Sequence, residues 1–191
     1  MPYQKTNRYQ KLLADNLRVV FPESEVKVEW TAMRSEEGLY SPRLDIAIGP
    51  FATEHRRCTA EYDKLLGGHQ ALIRNLYNFH MQNLAIYGNA ECSTSFKDAC
   101  EKNRNARCFL AIEIENAVSR KHLMGGAINA AALGRIGIAV GWAQDKVQAL
   151  VKLRNYLLFL ASVGKNTFDP INLLILGRSQ VMSAVIGAAR Q

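Results

Sequence analysis

Two glutamates, Glu113 and Glu115, interrupt an otherwise apolar run in FLAIEIENAVSRKH, residues 109–122. On a β-strand a spacing of two puts both carboxylates on one face, about 6.5–7 Å apart along the chain. A third acid, Asp45, interrupts a second apolar run, RLDIAIG at 43–49. Each acid is expected on the face opposite its strand's most aliphatic side chains. If the two strands pair, the carboxylates converge. Converging like charges raise one another's pKa and repel unless something neutralises them. A hard divalent cation does so through oxygen ligands, and magnesium keeps several waters while it takes one or two carboxylates. Such an ion polarises a phosphoryl oxygen and lowers the pKa of a bound water, which is what phosphodiester hydrolysis needs. Asp45 and Glu113 are therefore the expected metal ligands, for Mg2+ or Mn2+, with Glu115 a further ligand or a general base. The alternative for Asp45 and Glu113 is a pair of edge or solvated acids on the wet face of an antiparallel sheet, and for Glu115 a place nearer the strand end.

The elements that must position these acids follow from periodicity. Tyr9, Leu12, Leu13, Leu17 and Val20 recur at helical spacing, so a first helix is expected over 7–20, ended by Pro22. EVKVEWTAM at 25–33 alternates, with Val26, Val28 and Trp30 on one face and Lys27, Glu29 and Thr31 on the other. A turn over 34–42, punctuated by Gly38 and Pro42, leads to the strand at 43–49, where Leu44, Ile46 and Ile48 share a face. Residues 54–88 read as helical, divided at Gly67-Gly68, and 89–107 as a polar short helix or mobile loop. The strand at 108–115 runs toward Ser119, an N-cap for a helix over 120–133. A strand over 135–142, apolar on both faces, is followed by a helix at 144–163, a strand at 172–177 and a helix at 178–190. The glycines and alanines of GGAINAAALGRIG predict close helix–sheet packing. Gly134 and Gly137 lie on the wrong side of their helix for a dinucleotide-binding loop. Antiparallel strands first and alternating β and α later imply an α/β protein with a mixed central β-sheet flanked by helices, in a single domain over 1–191.

Composition bounds the partners. Of 191 residues, 48% are hydrophobic, enough for a sizeable core. Lys and Arg number 24 against 17 Asp and Glu, a net +7 that favours a polyanionic partner such as nucleic acid. The N-terminal sequence has no apolar signal region, and no apolar run is long enough to span a bilayer. Cys58, Cys92, Cys100 and Cys108 form no CxxC pair and no common zinc spacing. Reduced thiols, a cytoplasmic location and no membrane association are the expectation.

The strand–turn–strand carrying Asp45 in SPRLDIAIG resembles the PD part of the PD-(D/E)XK nuclease superfamily, and AIEIEN resembles its (D/E)XK part in an E-x-E variant. The helix from Ser119 and the strand at 136–141 continue the αβββαβ core of that superfamily. The resemblance covers 7–141, with 50–107 as an insertion, mainly helical over 54–107, and a C-terminal helix-strand-helix extension. It implies a restriction endonuclease-like fold and a divalent-metal-dependent nuclease acting on DNA. Glu115 stands where lysine is usual, so Lys121, in the first turn of the next helix, is the expected group to stabilise charge on the phosphate. An acid from the first helix often joins such sites; Asp15 is the only one there, with Glu25 and Glu29 as substitutes. Arg43, Arg120 and His122 near the acids, and Arg56 and Arg57 in the insertion, are candidates for nucleic-acid contact. Lys64, Arg74, Lys97, Lys102, Arg104 and Arg107 could track a phosphate backbone or form an ordinary solvated face. His55, His69 and His80 read as structural. A homodimer is expected if both strands of a duplex are cut. Two alternatives stand beside the nuclease. One is a non-catalytic nucleic-acid-binding or assembly protein with a decayed site. The other is an unrelated α/β protein acting on a small ligand, which requires Asp45 and Glu113 to lie far apart.

Overall fold

A computed structural model describes residues 2–32, 41–53, 56–88, 94–116, 119–165 and 169–190. The chain runs α1 (Pro2–Val20), β1 (Val26–Thr31), β2 (Arg43–Ile48), α2 (Thr59–Gly68), α3 (Gln70–Tyr87), α4 (Phe96–Glu101), β3 (Cys108–Glu115), α5 (Arg120–Leu133), β4 (Gly134–Gly141), α6 (Gln144–Ser162), a 3-10 turn (Pro170–Asn172), β5 (Leu173–Gly177) and α7 (Arg178–Ala188). The turn expected over 34–42 falls largely outside the described residues, as do His55 and Cys92. Among the described residues no helix is long and apolar enough to cross a membrane.

The five strands form one mixed sheet in the order β1-β2-β3-β4-β5. β1, β2 and β3 are successively antiparallel, and β3, β4 and β5 are parallel. The parallel half requires crossovers, which α5 and α6 supply. β3 and β4 are buried at every position, as expected for central strands covered on both faces. On one face Leu13, Leu17 and Phe21 from α1 and its end pack with Ile112, Ile138 and Val181. On the other, Ala127, Ala130 and Ala131 of α5 and Val147, Leu150 and Val151 of α6 pack with Ala111, Ala139 and Ile175. α3 contributes Leu72 and Ile73 to the first cluster and Leu84 to the second, so it crosses the β5 edge.

Short side chains let α5 approach the sheet closely. A Cβ on Gly137 of β4 would lie 2.7 Å from the Ala130 carbonyl, so only glycine fits beneath the helix there. This is the packing that the alanine and glycine run predicts. Ser119 caps α5 by accepting from the Lys121 amide at 3.3 Å. Leu12, expected on the buried stripe of α1, is 53% exposed. Its place is taken by Gln10, which shares the buried stripe with Leu13, Ala14 and Leu17.

The simple alternation expected for β1 and β2 is broken. Val26, Ile46 and Ile48 join the first cluster, whereas Trp30 and Leu44 join the second with Ala47, and Val28 is exposed. The break centres on Glu29, whose φ of 53° lies in the left-handed region rarely used by side-chain-bearing residues. Glu29 faces Asp45 in the ladder, since Val28 pairs with Ile46 and Trp30 with Leu44. The twist therefore falls where both strands carry an acid.

Candidate functional site

The register Ile46↔Ile112 and Ala47↔Ala111 continues to place Asp45 opposite Glu113 across β2 and β3. Glu113 and Glu115 share the face of Ala111 that α5 covers, opposite Ile112 and Ile114. This is the convergence that pairing of the two strands implies. Asp45 Oδ2 accepts from the Ile114 amide at 2.6 Å. Asn129 of α5 borders the same cavity as both acids. Glu115 rests on α5 at Gly126, where a Cβ would overlap Glu115 Oε1. Gly126 is thus the notch that lets a helix cover a charged strand face.

Burial dominates the electrostatics. Glu113 and Glu115 are each 7% exposed. Loss of hydration, followed by the charges of Asp45 and Glu115, pushes the Glu113 carboxyl up to about 9. Burial and the Asp45 charge push Glu115 up to about 7. Asp45 is also raised, chiefly by burial and against the opposing Ile114 hydrogen bond. Burial and mutual repulsion thus act in the same direction on all three carboxyls. Its Oε1 is buried with no hydrogen-bond partner. An orphaned carboxyl oxygen among three acids is costly unless a cation or donor completes it.

These groups floor an open cavity of about 620 Å³. Its walls come from the N-terminal half of α1 (Thr6, Asn7, Gln10), from Glu29 and Arg43, and from the first turns of α5. Lys121 and His122 are exposed on the α5 wall. The side chain of Arg120 lies outside the described residues. Arg43 borders the cavity and pairs with Glu29 at 2.8 Å. Arg56 and Arg57 are not brought here. β2 runs away from the site, and Ala52 bonds the Arg107 carbonyl at the start of β3. Glu113 lies six strand steps beyond Arg107, roughly 20 Å at about 3.3 Å each. Arg56 pairs instead with Glu61, and Arg74 lies over Phe96. Of the candidate helix and strand acids, Asp15 pairs with Arg18 and Glu25 with Lys27, both away from the cavity lining, while Glu29 lines it.

Histidines elsewhere have structural surroundings. His69 pairs with Glu23 at 2.6 Å and packs on Phe21. His80 is fully buried, accepts from the Ile175 amide, and is pushed down to about 3 by burial. Cys58, Cys100 and Cys108 are buried free thiols.

Gln10, Asn129 and Gly126 are site residues that periodicity alone does not single out. Gln10 had a visible signal, since it is a polar residue on the buried stripe of α1. Its Nε2 donates both to Glu29 Oε1 and to the Asp45 carbonyl, each at 2.8 Å. Among the described residues no group of three or more His, Cys, Asp or Glu side chains forms a ready metal cluster. The chemistry of the donors still suits a hard ion. Magnesium commonly takes one or two carboxylates and fills the remaining positions with water and substrate phosphate. Comparison with protein-family models, curated proteins and solved structures gives no match.

Proposed function

We propose that this protein is a divalent-metal-dependent nuclease that hydrolyses phosphodiester bonds of DNA, resembling the PD-(D/E)XK enzymes. The observation that carries the proposal is the facing pair Asp45 and Glu113, both lining a wide, open cavity, with Glu113 Oε1 buried and unpartnered. The order α1-β1-β2, insertion, β3-α5-β4 supports it, being the αβββαβ order of that superfamily with 50–107 inserted. Asp45 and Glu113 would hold Mg2+ or Mn2+. When bound, the ion supplies Lewis acidity toward a phosphoryl oxygen and lowers the pKa of its water. Glu115 adds a ligand or accepts the proton of the attacking water. Lys121, exposed on the cavity wall, would bring positive charge to an entering phosphate, with Arg43 and the His122 ring beside it on the cavity lining.

Cleavage of a labelled DNA duplex with Mg2+, Mn2+ or EDTA tests the proposal, with Asp45→Asn and Glu113→Gln as variants of the ligand pair. Metal-dependent cleavage lost in both variants, with DNA binding kept, is the expected result. Full cleavage by both variants refutes the assignment. Glu115, standing where the superfamily has lysine, supports a second role on the same fold, non-catalytic nucleic-acid binding. That role predicts salt-dependent DNA binding and no cleavage with any divalent ion. The adjacency of Asp45 and Glu113 removes the main premise of an unrelated small-ligand protein, which needs them far apart.

A further inference from the structure

We propose that Arg43 and Glu29 form a phosphate-responsive latch, in which a phosphodiester anion draws Arg43 away and frees Glu29 to join Asp45 and Glu113 around the cation. The latch rests on the metal site proposed above and assigns its coupling to substrate. Four observations place it. Glu29 stands opposite Asp45 in the β1–β2 ladder and borders the same cavity as Asp45 and Glu113. Its charge bears on both neighbours, pushing each of their carboxyls upward. Both of its oxygens are occupied: Oε1 accepts from Gln10 Nε2, which also holds the Asp45 carbonyl, and Oε2 takes Arg43 Nε at 2.8 Å. The ligand-seeking atom is independent of this pair, since Glu113 is 7% exposed and its Oε1 has no partner.

The two contacts differ in how easily they exchange. Gln10 is buried and ties Glu29 to the backbone of Asp45, so it sets the position of the carboxylate. Arg43 and Glu29 are 68% and 44% exposed as side chains, and an exposed ion pair of this kind is weak. A guanidinium binds phosphate oxygens in the same two-pronged way as a carboxylate, so a phosphodiester competes directly for Arg43. Exchange leaves Glu29 Oε2 free beside two acids that already need a positive partner. Cation and phosphate would then bind with positive coupling, each favouring the state that the other selects. Without substrate the latch keeps one acid neutralised and holds the site short of a full ligand set.

The test is Mn2+ binding by isothermal titration calorimetry, on the full chain, across a double-mutant cycle of Arg43→Gln and Glu29→Gln. Thermal melts check that each exposed-site variant is folded. In chloride buffer, Arg43→Gln should tighten Mn2+ binding about fivefold or more when Glu29 is present. It should change binding less than twofold in the Glu29→Gln background. Adding dimethyl phosphate at constant ionic strength should tighten Mn2+ binding to the native protein, and this response should shrink in Glu29→Gln. Equal tightening by Arg43→Gln in both backgrounds overturns the latch, because a general charge effect needs no Glu29. Asp45→Asn separates the two levels. If it leaves Mn2+ binding intact, the metal site itself is refuted; if it abolishes binding while the cycle shows no coupling, only the latch is.

Discussion

Replacing Glu113 by glutamine should make the metal-free protein more stable at alkaline pH. In the folded chain the Glu113 carboxyl is pushed from 4.5 to about 9 by burial and by the charges of Asp45 and Glu115. Between these values the folded state holds a proton that the unfolded chain releases. Stability from that proton is complete below about pH 4.5 and is lost as pH rises toward 9. The loss is about 1.4 kcal/mol per pH unit, or about 4 kcal/mol between pH 5 and 8. That is a large share of the 5–15 kcal/mol typical of a domain. Glu115, raised to about 7, adds a similar slope up to that pH in both proteins. Glu113→Gln removes one proton from the balance, since an amide does not ionise in this range. Urea unfolding in EDTA at pH 5, 6.5 and 8 measures the effect. The stability difference between variant and native protein should move by about 3–4 kcal/mol in favour of the variant over this range. Parallel pH profiles would show that Glu113 ionises normally, and the electrostatic account of the site would fail. Saturating divalent metal should shrink the difference, since an ion at 100 times its dissociation constant stabilises by about 2.7 kcal/mol.

Two neighbouring glycines on α5 should respond in opposite directions. Gly126→Ala sets a methyl against Glu115 Oε1 and should destabilise by about 1–3 kcal/mol while weakening Mn2+ binding. Gly125→Ala meets no atom within 4 Å and should stabilise the helix by about 0.5–1 kcal/mol, as thermal or urea melts would show. Gln10→Leu keeps the packing of α1 but removes the donor shared by Glu29 and the Asp45 carbonyl; cleavage should fall at least tenfold with little change in DNA binding. Lys121→Ala should lower the cleavage rate tenfold or more and leave the melting temperature within about 1–2 °C, because this side chain is exposed at the cavity mouth.

The parts of the fold legible in sequence are those set by local pattern. β3 and α5 fall at 108–115 and 120–133 as expected, because an apolar run ends at Asn116 and Ser119 supplies a capping oxygen. The Gly67-Gly68 break, the crossovers and the helix–sheet contact at Gly137 likewise follow from residue type. The convergence of Asp45 and Glu113 was legible only as a condition, since it depends on which strands pair. The change of face at Glu29 was not legible, because residue types give no signal for a left-handed φ at a glutamate. Alternation therefore misplaces Leu44 and Trp30. Arg56 and Arg57 are close to Asp45 in sequence yet distant in space, since β2 carries the chain to the far end of the sheet.

A crystal soaked in Mn2+ gives the most direct test of the central claim. Anomalous density is expected between Asp45 and Glu113, within about 2.0–2.6 Å of an oxygen from each, with Glu113 Oε1 among the ligands. A saturated crystal with no peak at this pair, or with manganese bound only elsewhere, would contradict it.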